Sequence, residues 1–225
     1  MYLEQNIRGL CDKFGIDFLG LLSDIGIESV EEMTVSDLEV VCEEYETDMH
    51  SLLFNHSFKT NELKSKIEKI KLLVIDVDGV MTDGGMYFTE SGDQFKKFNT
   101  KDGMAIIHLT NKNFQVAIIS SGFKGEAVSK RADMLGIQNC IVSRTPKMET
   151  LKGICADLKI NLDNVAMIGD DINDLEVMES IGFSACPVDA VQRIKSVSTI
   201  ILNKKGGEGC VREFIDEYLL DKQIK

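Results

Sequence analysis

The sequence predicts an α/β protein: a doubly wound, mostly parallel sheet flanked by helices, with a small helical extension in front of it. Three observations predict this. Leu72-Leu73-Val74-Ile75, Val116-Ala117-Ile118-Ile119 and Val165-Ala166-Met167-Ile168 are short runs, apolar at every position, that stop against polar residues. Strands apolar on both faces belong to buried parallel sheets. Helical patterns separate the runs, and strand–helix alternation builds an open α/β sheet.

Residues 1–66 read as a helical extension distinct from 67–225. They hold 14 acidic and 5 basic side chains, net −9, against 23 and 20, net −3, in the remainder. Leu3, Ile7, Leu10, Cys11 and Phe14 recur at helical spacing. Ser36 with Glu39 three residues on predicts a capping box, and Val40 and Val41 continue the apolar face of that helix. Residues 55–59 read as a linker. Thr60 is then placed to cap a helix whose stripe is Leu63, Ile67 and Ile70. After the first strand, residues 84–99 depart from the alternation. Met86-Tyr87-Phe88, a turn at Ser91-Gly92-Asp93 and Gln94-Phe95-Lys96-Lys97-Phe98 predict a β-hairpin beside the carboxyl edge of the sheet. Helices are expected at 102–112, 125–135, 148–158 and 172–181, and weaker strands at 140–142, 183–186 and 199–202. A last helix at 208–220 offers Val211, Phe214, Ile215, Tyr218 and Leu219 to an apolar surface.

Composition excludes several classes of function. The formal charge is −12 over 225 residues, with no Lys/Arg cluster for a phosphate backbone, so no nucleic-acid partner is expected. No apolar run approaches the ~20 residues that cross a bilayer, so no membrane partner is expected either. The amino-terminal stretch lacks a basic segment followed by an apolar one. Cys11, Cys42, Cys140, Cys155, Cys186 and Cys210 are widely spaced without a Cys-x-x-Cys pair. They read as reduced thiols of a cytoplasmic protein.

In an open parallel sheet the carboxyl ends of the strands converge on one crevice. Here those ends carry Asp76 and Asp78, Ser120, and Asp170 with Asp171, and Lys147 starts the helix after the next strand. Carboxylates so crowded repel unless a divalent cation sits between them. Hard oxygen ligands with open positions suit Mg²⁺, which bridges to phosphate oxygens. A lysine and a serine hydroxyl alongside are what a phosphoryl group requires. The reaction so implied is phosphoryl transfer with an Asp as covalent nucleophile.

Asp76-Val77-Asp78-Gly79-Val80 resembles the first motif of the haloacid dehalogenase superfamily; Ser120 fits the second, Lys147 the third, and Gly169-Asp170-Asp171-Ile172-Asn173-Asp174 the fourth. The resemblance runs over about residues 68–220. It is closest to the capless branch of phosphatases acting on 3-deoxy-octulosonate 8-phosphate and 3-deoxy-nonulosonate 9-phosphate. The stretches 78–85, Lys97-Phe98-Asn99-Thr100-Lys101-Asp102-Gly103 and Gly206-Gly207-Glu208-Gly209 point there.

The resemblance implies a Rossmann-like fold and a Mg²⁺-dependent phosphatase of a sugar-acid phosphate. Asp76 is the implied nucleophile and Asp78 the implied acid, then base. Asp76, the main-chain carbonyl of Asp78, and Asp170 hold the metal, while Asp171 and Asp174 orient its shell or Lys147. Lys147 and Ser120 hold the transferring group. Ser121, Gly122, Lys101 and Glu208 are the implied substrate contacts. The second motif departs from the octulosonate pattern: Ser120-Ser121-Gly122 stands where that branch has Thr-Gly-Arg, with Lys124 as a replacement cation. Glu208 likewise occupies an Arg position, a form more like the nonulosonate branch.

The resemblance also implies a homotetramer joined through the hairpins, in which the carboxyl-terminal segment enters a neighbouring subunit's active site and Lys204 or Lys205 helps to hold an anionic substrate. The acidic extension 1–66 is the candidate docking module for another protein. Three other readings compete: a phosphatase of other small esters, a receiver-type signalling module, which lacks a second Asp two residues past its nucleophile, and a non-catalytic oligomerisation or regulatory module.

Overall fold

The computed structural model describes residues 2–54, 56–122 and 125–220. The chain divides into two units, Met1–Lys66 and Ile67–Lys225.

The first unit is helical: α1 (Leu3–Phe14), α2 (Phe18–Ile25), α3 (Val35–Glu44) and α4 (Met49–Phe54), followed by α5 (Asn61–Lys69), which begins in this unit. Its core gathers Ile7, Leu10, Cys11, Leu22, Val30, Leu38, Val41 and Leu52. Asn6 is fully buried because its amide ties α1 to α4 and to the chain after it: Nδ2 donates to the Leu52 carbonyl at 2.7 Å and Oδ1 accepts from the Phe58 amide at 2.9 Å. The stretch read as a linker is therefore packed structure. His56 within it is buried and stacked on Tyr2; Asn55 lies outside the described residues. The capping box of α3 is also shifted from its expected place. Thr34 is the cap, accepting from the Asp37 amide at 3.3 Å while Asp37 accepts from the Thr34 amide at 2.7 Å. Ser36 and Glu39 sit inside the helix, because two Thr/Ser–acid pairs overlap here and the earlier one closes. The same shift turns Val40 outward, leaving it 64% exposed, and Val41 inward. Thr60 does cap α5, accepting from the Leu63 amide at 3.2 Å.

The second unit holds β1 (Leu72–Ile75), the hairpin strands β2 (Tyr87–Phe88) and β3 (Gln94–Phe95), α6 (Thr100–Asn111), β4 (Gln115–Ser120), α7 (Glu126–Met134), β5 (Asn139–Val142), α8 (Lys147–Leu158), β6 (Val165–Ile168), α9 (Leu175–Met178), β7 (Phe183–Cys186), α10 (Gln192–Lys195), β8 (Ile200–Ile201) and α11 (Cys210–Phe214). Six strands form one sheet in the order β5-β4-β1-β6-β7-β8, parallel at every pairing. The doubly wound α/β architecture is the one expected. The runs β1 and β6 are buried at every position because both faces are covered; Leu72, Val74, Val165 and Met167 meet Met148, Leu151 and Ile154 of α8 in one core. β1 pairs with β4 on one side and β6 on the other, so the chain reverses direction of build at β1. That switch point opens the crevice at the carboxyl ends of β1, β4 and β6.

The hairpin stands apart as a two-stranded antiparallel sheet pairing Tyr87 with Phe95 and Phe88 with Gln94. The helix expected at 172–181 is shorter. A reciprocal cap between Asp171 and Asp174 makes Ile172–Asp174 a 3₁₀ turn, and α9 ends at Met178. The last helix, α11, widens into a looser turn at Ile215–Leu219, and Phe183, Phe214 and Tyr218 pack their rings 5.3–5.7 Å apart. Among the described residues no helix is long and apolar enough to cross a membrane.

Candidate active site

The parallel register sets the site. Ile75 pairs with Ile118 and Ile168, so Asp76, Ser120 and Asp170 emerge at neighbouring strand ends. Lys147, the first residue of α8, reaches into the same place. Its ammonium lies 2.7 Å from Asp76 Oδ1 and 2.6 Å from Asp174 Oδ1, and all three side chains are almost wholly buried. Burial opposes the lysine's charge, but the two carboxylates outweigh it and raise its pKa.

Both oxygens of Asp174 are engaged. Oδ1 holds Lys147, and Oδ2 accepts from the amides of Asp170 and Asp171 at 3.1 and 3.4 Å. It is a positioning residue for both the lysine and the loop after β6. Asp170 differs: its Oδ1 is buried with no hydrogen-bond partner among the described residues. Burial, with Asp76, Asp174 and Asp171 nearby, pushes its carboxyl up to about 8. Burial and the Asp174 charge likewise push Asp76 up to about 6, against the pull of Lys147. Oxygens of Asp76, Asp170 and Asp174 lie within 4.8 Å of one another. Carboxyls that one lysine cannot neutralise, one with an orphaned oxygen, fit a hard divalent cation held by Asp76 and Asp170. Asp174 belongs to the same cluster, with Oδ1 already on Lys147 and Oδ2 on two backbone amides.

Asp78 follows Asp76 in the loop Val77–Met81 and is partly exposed. Its carboxylate meets the ammonium of Lys96, which the hairpin carries in from 18 residues away. Ser120 is buried at the end of β4, Ser121 Oγ accepts from Asn173 Nδ2 at 3.2 Å, and Gly122 lies against Val142. Asp76, Asp78, Ser120, Ser121, Gly122, Asp170, Asp171 and Asn173 line one cavity of ≈ 270 Å³, closed on the far side by Met86, Gln94 and Lys96 of the hairpin.

Not every anticipated residue arrives there. Lys101 is exposed at the start of α6, where its amide donates to the capping Asn99, and it does not line the cavity. Glu208, Lys204 and Lys205 do not line it either; Lys204 and Glu208 are engaged through their amides, with Glu213 and the Lys205 carbonyl. The reason is that the glycine segment packs behind the loop Val77–Met81: the Gly207 amide donates to the Val80 carbonyl at 2.9 Å, and Asn99 Nδ2 to the Gly207 carbonyl at 3.0 Å. Lys124 lies outside the described residues. Lys96, Gln94 and Asn173 were not anticipated from sequence. Strand alternation was the signal for the first two, since Gln94 and Lys96 share the face opposite Phe95.

Residues 132–215 match the family model described as haloacid dehalogenase-like hydrolase. The 3-deoxy-D-manno-octulosonate 8-phosphate phosphatase KdsC of Salmonella typhi is 36% identical over 161 residues, 72% of this chain and 85% of that one. The solved structure of the same-named phosphatase from Yersinia pestis superposes with a TM-score of 0.69 at 34% identity, covering 72% of this chain and 87% of its own. That from Moraxella catarrhalis, in complex with magnesium ion, phosphate ion and KDO, also gives 0.69 at 34% identity, covering 72% and 92%.

Proposed function

We infer what this chain does from the premise that it belongs to the haloacid dehalogenase-like hydrolases, among the 3-deoxy-D-manno-octulosonate 8-phosphate phosphatases. It is a Mg²⁺-dependent phosphoric monoester hydrolase acting on the phosphate ester of a 3-deoxy-2-keto sugar acid. The eight-carbon acid is the first candidate, since that is the substrate named for the similar phosphatases; the nine-carbon acid is the second. The observation that carries the reading is the buried pair of contacts from Lys147 to Asp76 and Asp174 beside the orphaned oxygen of Asp170.

The residues divide the work as follows. Asp76 attacks phosphorus; the bond to the sugar oxygen breaks as the carboxyl-phosphate bond forms. Asp78 gives its proton to the departing alkoxide. It then takes one from a water whose oxygen attacks the same phosphorus, freeing the Asp76 carboxylate and inorganic phosphate. Lys147 faces the nucleophile throughout and offsets charge gathering on the phosphoryl oxygens. Ser120, Ser121 and Gly122 hold those oxygens from the opposite wall. When bound by Asp76, Asp170 and the Asp78 carbonyl, Mg²⁺ supplies the remaining positive charge at the transferring group. Uncatalysed monoester hydrolysis is slow enough to demand accelerations up to ~10²¹. Positioning supplies only ~7–11 kcal/mol of that barrier, so charge neutralisation must be a large part of the rest.

The test is a panel of sugar phosphates with and without Mg²⁺, read as phosphate release. Eight- or nine-carbon keto-acid phosphates should turn over far better than hexose phosphates, and Asp76→Asn should be folded and inert. Turnover by the Asn variant comparable to the parent would remove Asp76 as nucleophile.

The assembly belongs to the same reading. Met86, Tyr87, Phe88 and Phe95 are more than half exposed on the hairpin, an apolar edge that association would cover. This supports a homotetramer, for which sedimentation should give a single four-chain species; monomer alone at micromolar concentration would end that assignment. The net charge of −9 over residues 1–66 supports docking to a protein with a basic face, which pull-down with salt-dependent release would test.

A further inference from the structure

The cavity over Asp76 is small. At ≈ 270 Å³ it falls below the ~300–1,000 Å³ usual for ligand pockets, and the phosphoryl group with its surrounding charges takes much of it. A second cavity of ≈ 700 Å³ adjoins it, sharing Gln94 and Lys96 of the hairpin as a common wall. Its other side is the start of α7: Gly125, Glu126, Ala127 and Lys130, with Asp93 at the rim. The shared wall at Gln94 and Lys96 makes this the adjoining space into which the organic half of a substrate can extend when its ester phosphorus faces Asp76.

The lining has a readable chemistry. Carboxylates and a carboxamide suit a polyol, whose hydroxyls donate to Asp93, Glu126 and Gln94. Two cations also face the space. Lys96 is already engaged by Asp78, and the Asp93 carboxylate accepts from Ser91. Lys130 lies on an exposed face of α7 and forms no ion pair among the described residues.

We propose that this second cavity is the site for the sugar-acid half of the substrate, and that Lys130 is the residue that selects for its carboxylate. The assignment rests on the phosphatase reading above and extends it to specificity. Lys130 touches neither phosphorus nor the metal ligands, so its contribution is to ground-state binding of the organic half.

Calorimetric titration of the full chain, loaded with Mg²⁺, with the free unphosphorylated 3-deoxy-2-keto sugar acid tests this without needing turnover. Lys130→Gln should raise the Kd for the acid by about tenfold, Lys130→Arg should restore most of it, and the methyl ester of the acid should bind parent and Gln variant alike. Equal affinity of parent and Lys130→Gln for the acid overturns the proposal. So does a parent that fails to bind it, or an equal loss of affinity for inorganic phosphate, which would mean a general disturbance of the site. Turnover of the phosphorylated acid, measured in parallel, tests the phosphatase reading separately: a protein that binds the free acid through Lys130 yet releases no phosphate keeps this site and loses that reaction.

Discussion

Gly79 and Asp170 are in contact across the carboxyl edge of the sheet: a Cβ built on Gly79 would lie 2.0 Å from Asp170 Oδ2. Gly79 also sits at φ +87°, where L side chains are strained. One position thus sets both the turn after Asp76, the proposed nucleophile, and the room for Asp170, the carboxylate proposed to hold the metal. Gly79→Ala should shift Asp170 and weaken the apparent Mg²⁺ affinity by about 10–100-fold, as changes next to metal ligands do. Activity titrated against Mg²⁺ would show the half-saturation point moving upward, with saturating metal recovering part of the rate.

Asp174 gives a second prediction because each of its oxygens has a donor. An amide at this position must turn its NH₂ toward either Lys147 or the amides of Asp170 and Asp171, placing donor against donor. Asp174→Asn should lower kcat by about 10²–10³, the range for losing a preorganised charge contact. Its stability loss should fall at the low end of the ~3–5 kcal/mol for breaking a buried ion pair, because Asp76 still faces Lys147. Single-turnover kinetics and thermal unfolding measure the two effects. A variant losing stability without losing rate would separate Asp174 from the reaction.

Gly206 yields a third. Its Cβ would lie 1.9 Å from the Gly79 carbonyl oxygen, against backbone that cannot swing aside. The carboxyl-terminal segment is fastened there by the Gly207 amide on Val80 and by Asp102, which accepts from the Arg212 amide at 2.7 Å. Gly206→Ala should push the loop Val77–Met81 forward and lower kcat/KM by at least tenfold, although the residue is remote from phosphorus. Asp102→Asn, which loosens the same fastening without adding bulk, should cost less; a reversal of that order would refute the steric account.

What could be read from the sequence follows from what each residue depends on. The strands at 72–75 and 165–168 are legible because a run buried on both faces needs no partner to declare itself. Asp76, Ser120 and Asp170 are legible as neighbours because parallel register brings equivalent strand ends together. Lys96 is not, since its place depends on how far the hairpin folds back, a matter of turn geometry and pairing. The cap of α3 was misplaced for a local reason: Thr34–Asp37 and Ser36–Glu39 are both sound capping pairs, and only the packing of Leu38 and Val41 chooses between them. The burial of His56 and the anchoring of Phe58 are hidden by the polar composition of this stretch, because the Phe58 amide finds its acceptor on Asn6, 52 residues away. Lys101 and Glu208, drawn in by resemblance alone, do not line the cavity of their own chain, because the segments that carry them are tied to the loop Val77–Met81 from outside it.

His56 supports the last prediction, which concerns stability against pH. It is 1% exposed and stacked on Tyr2 with ring centroids 5.1 Å apart. Burial, with the nearby Lys59 charge, lowers its pKa from 6.5 to about 4. Between those values the unfolded chain takes up a proton that the folded chain refuses, so stability falls as pH drops through that window and is fully present above pH 6.5. At ~1.4 kcal/mol per pH unit the loss approaches about 3 kcal/mol by pH 4. His56→Phe keeps an aromatic ring against Tyr2 and removes the proton site. Thermal unfolding of the two proteins at pH 7 and at pH 4.5 should show the parent losing several degrees more than the variant. Parallel losses would place the acid sensitivity elsewhere in the protein, since His56 would then be contributing nothing to it.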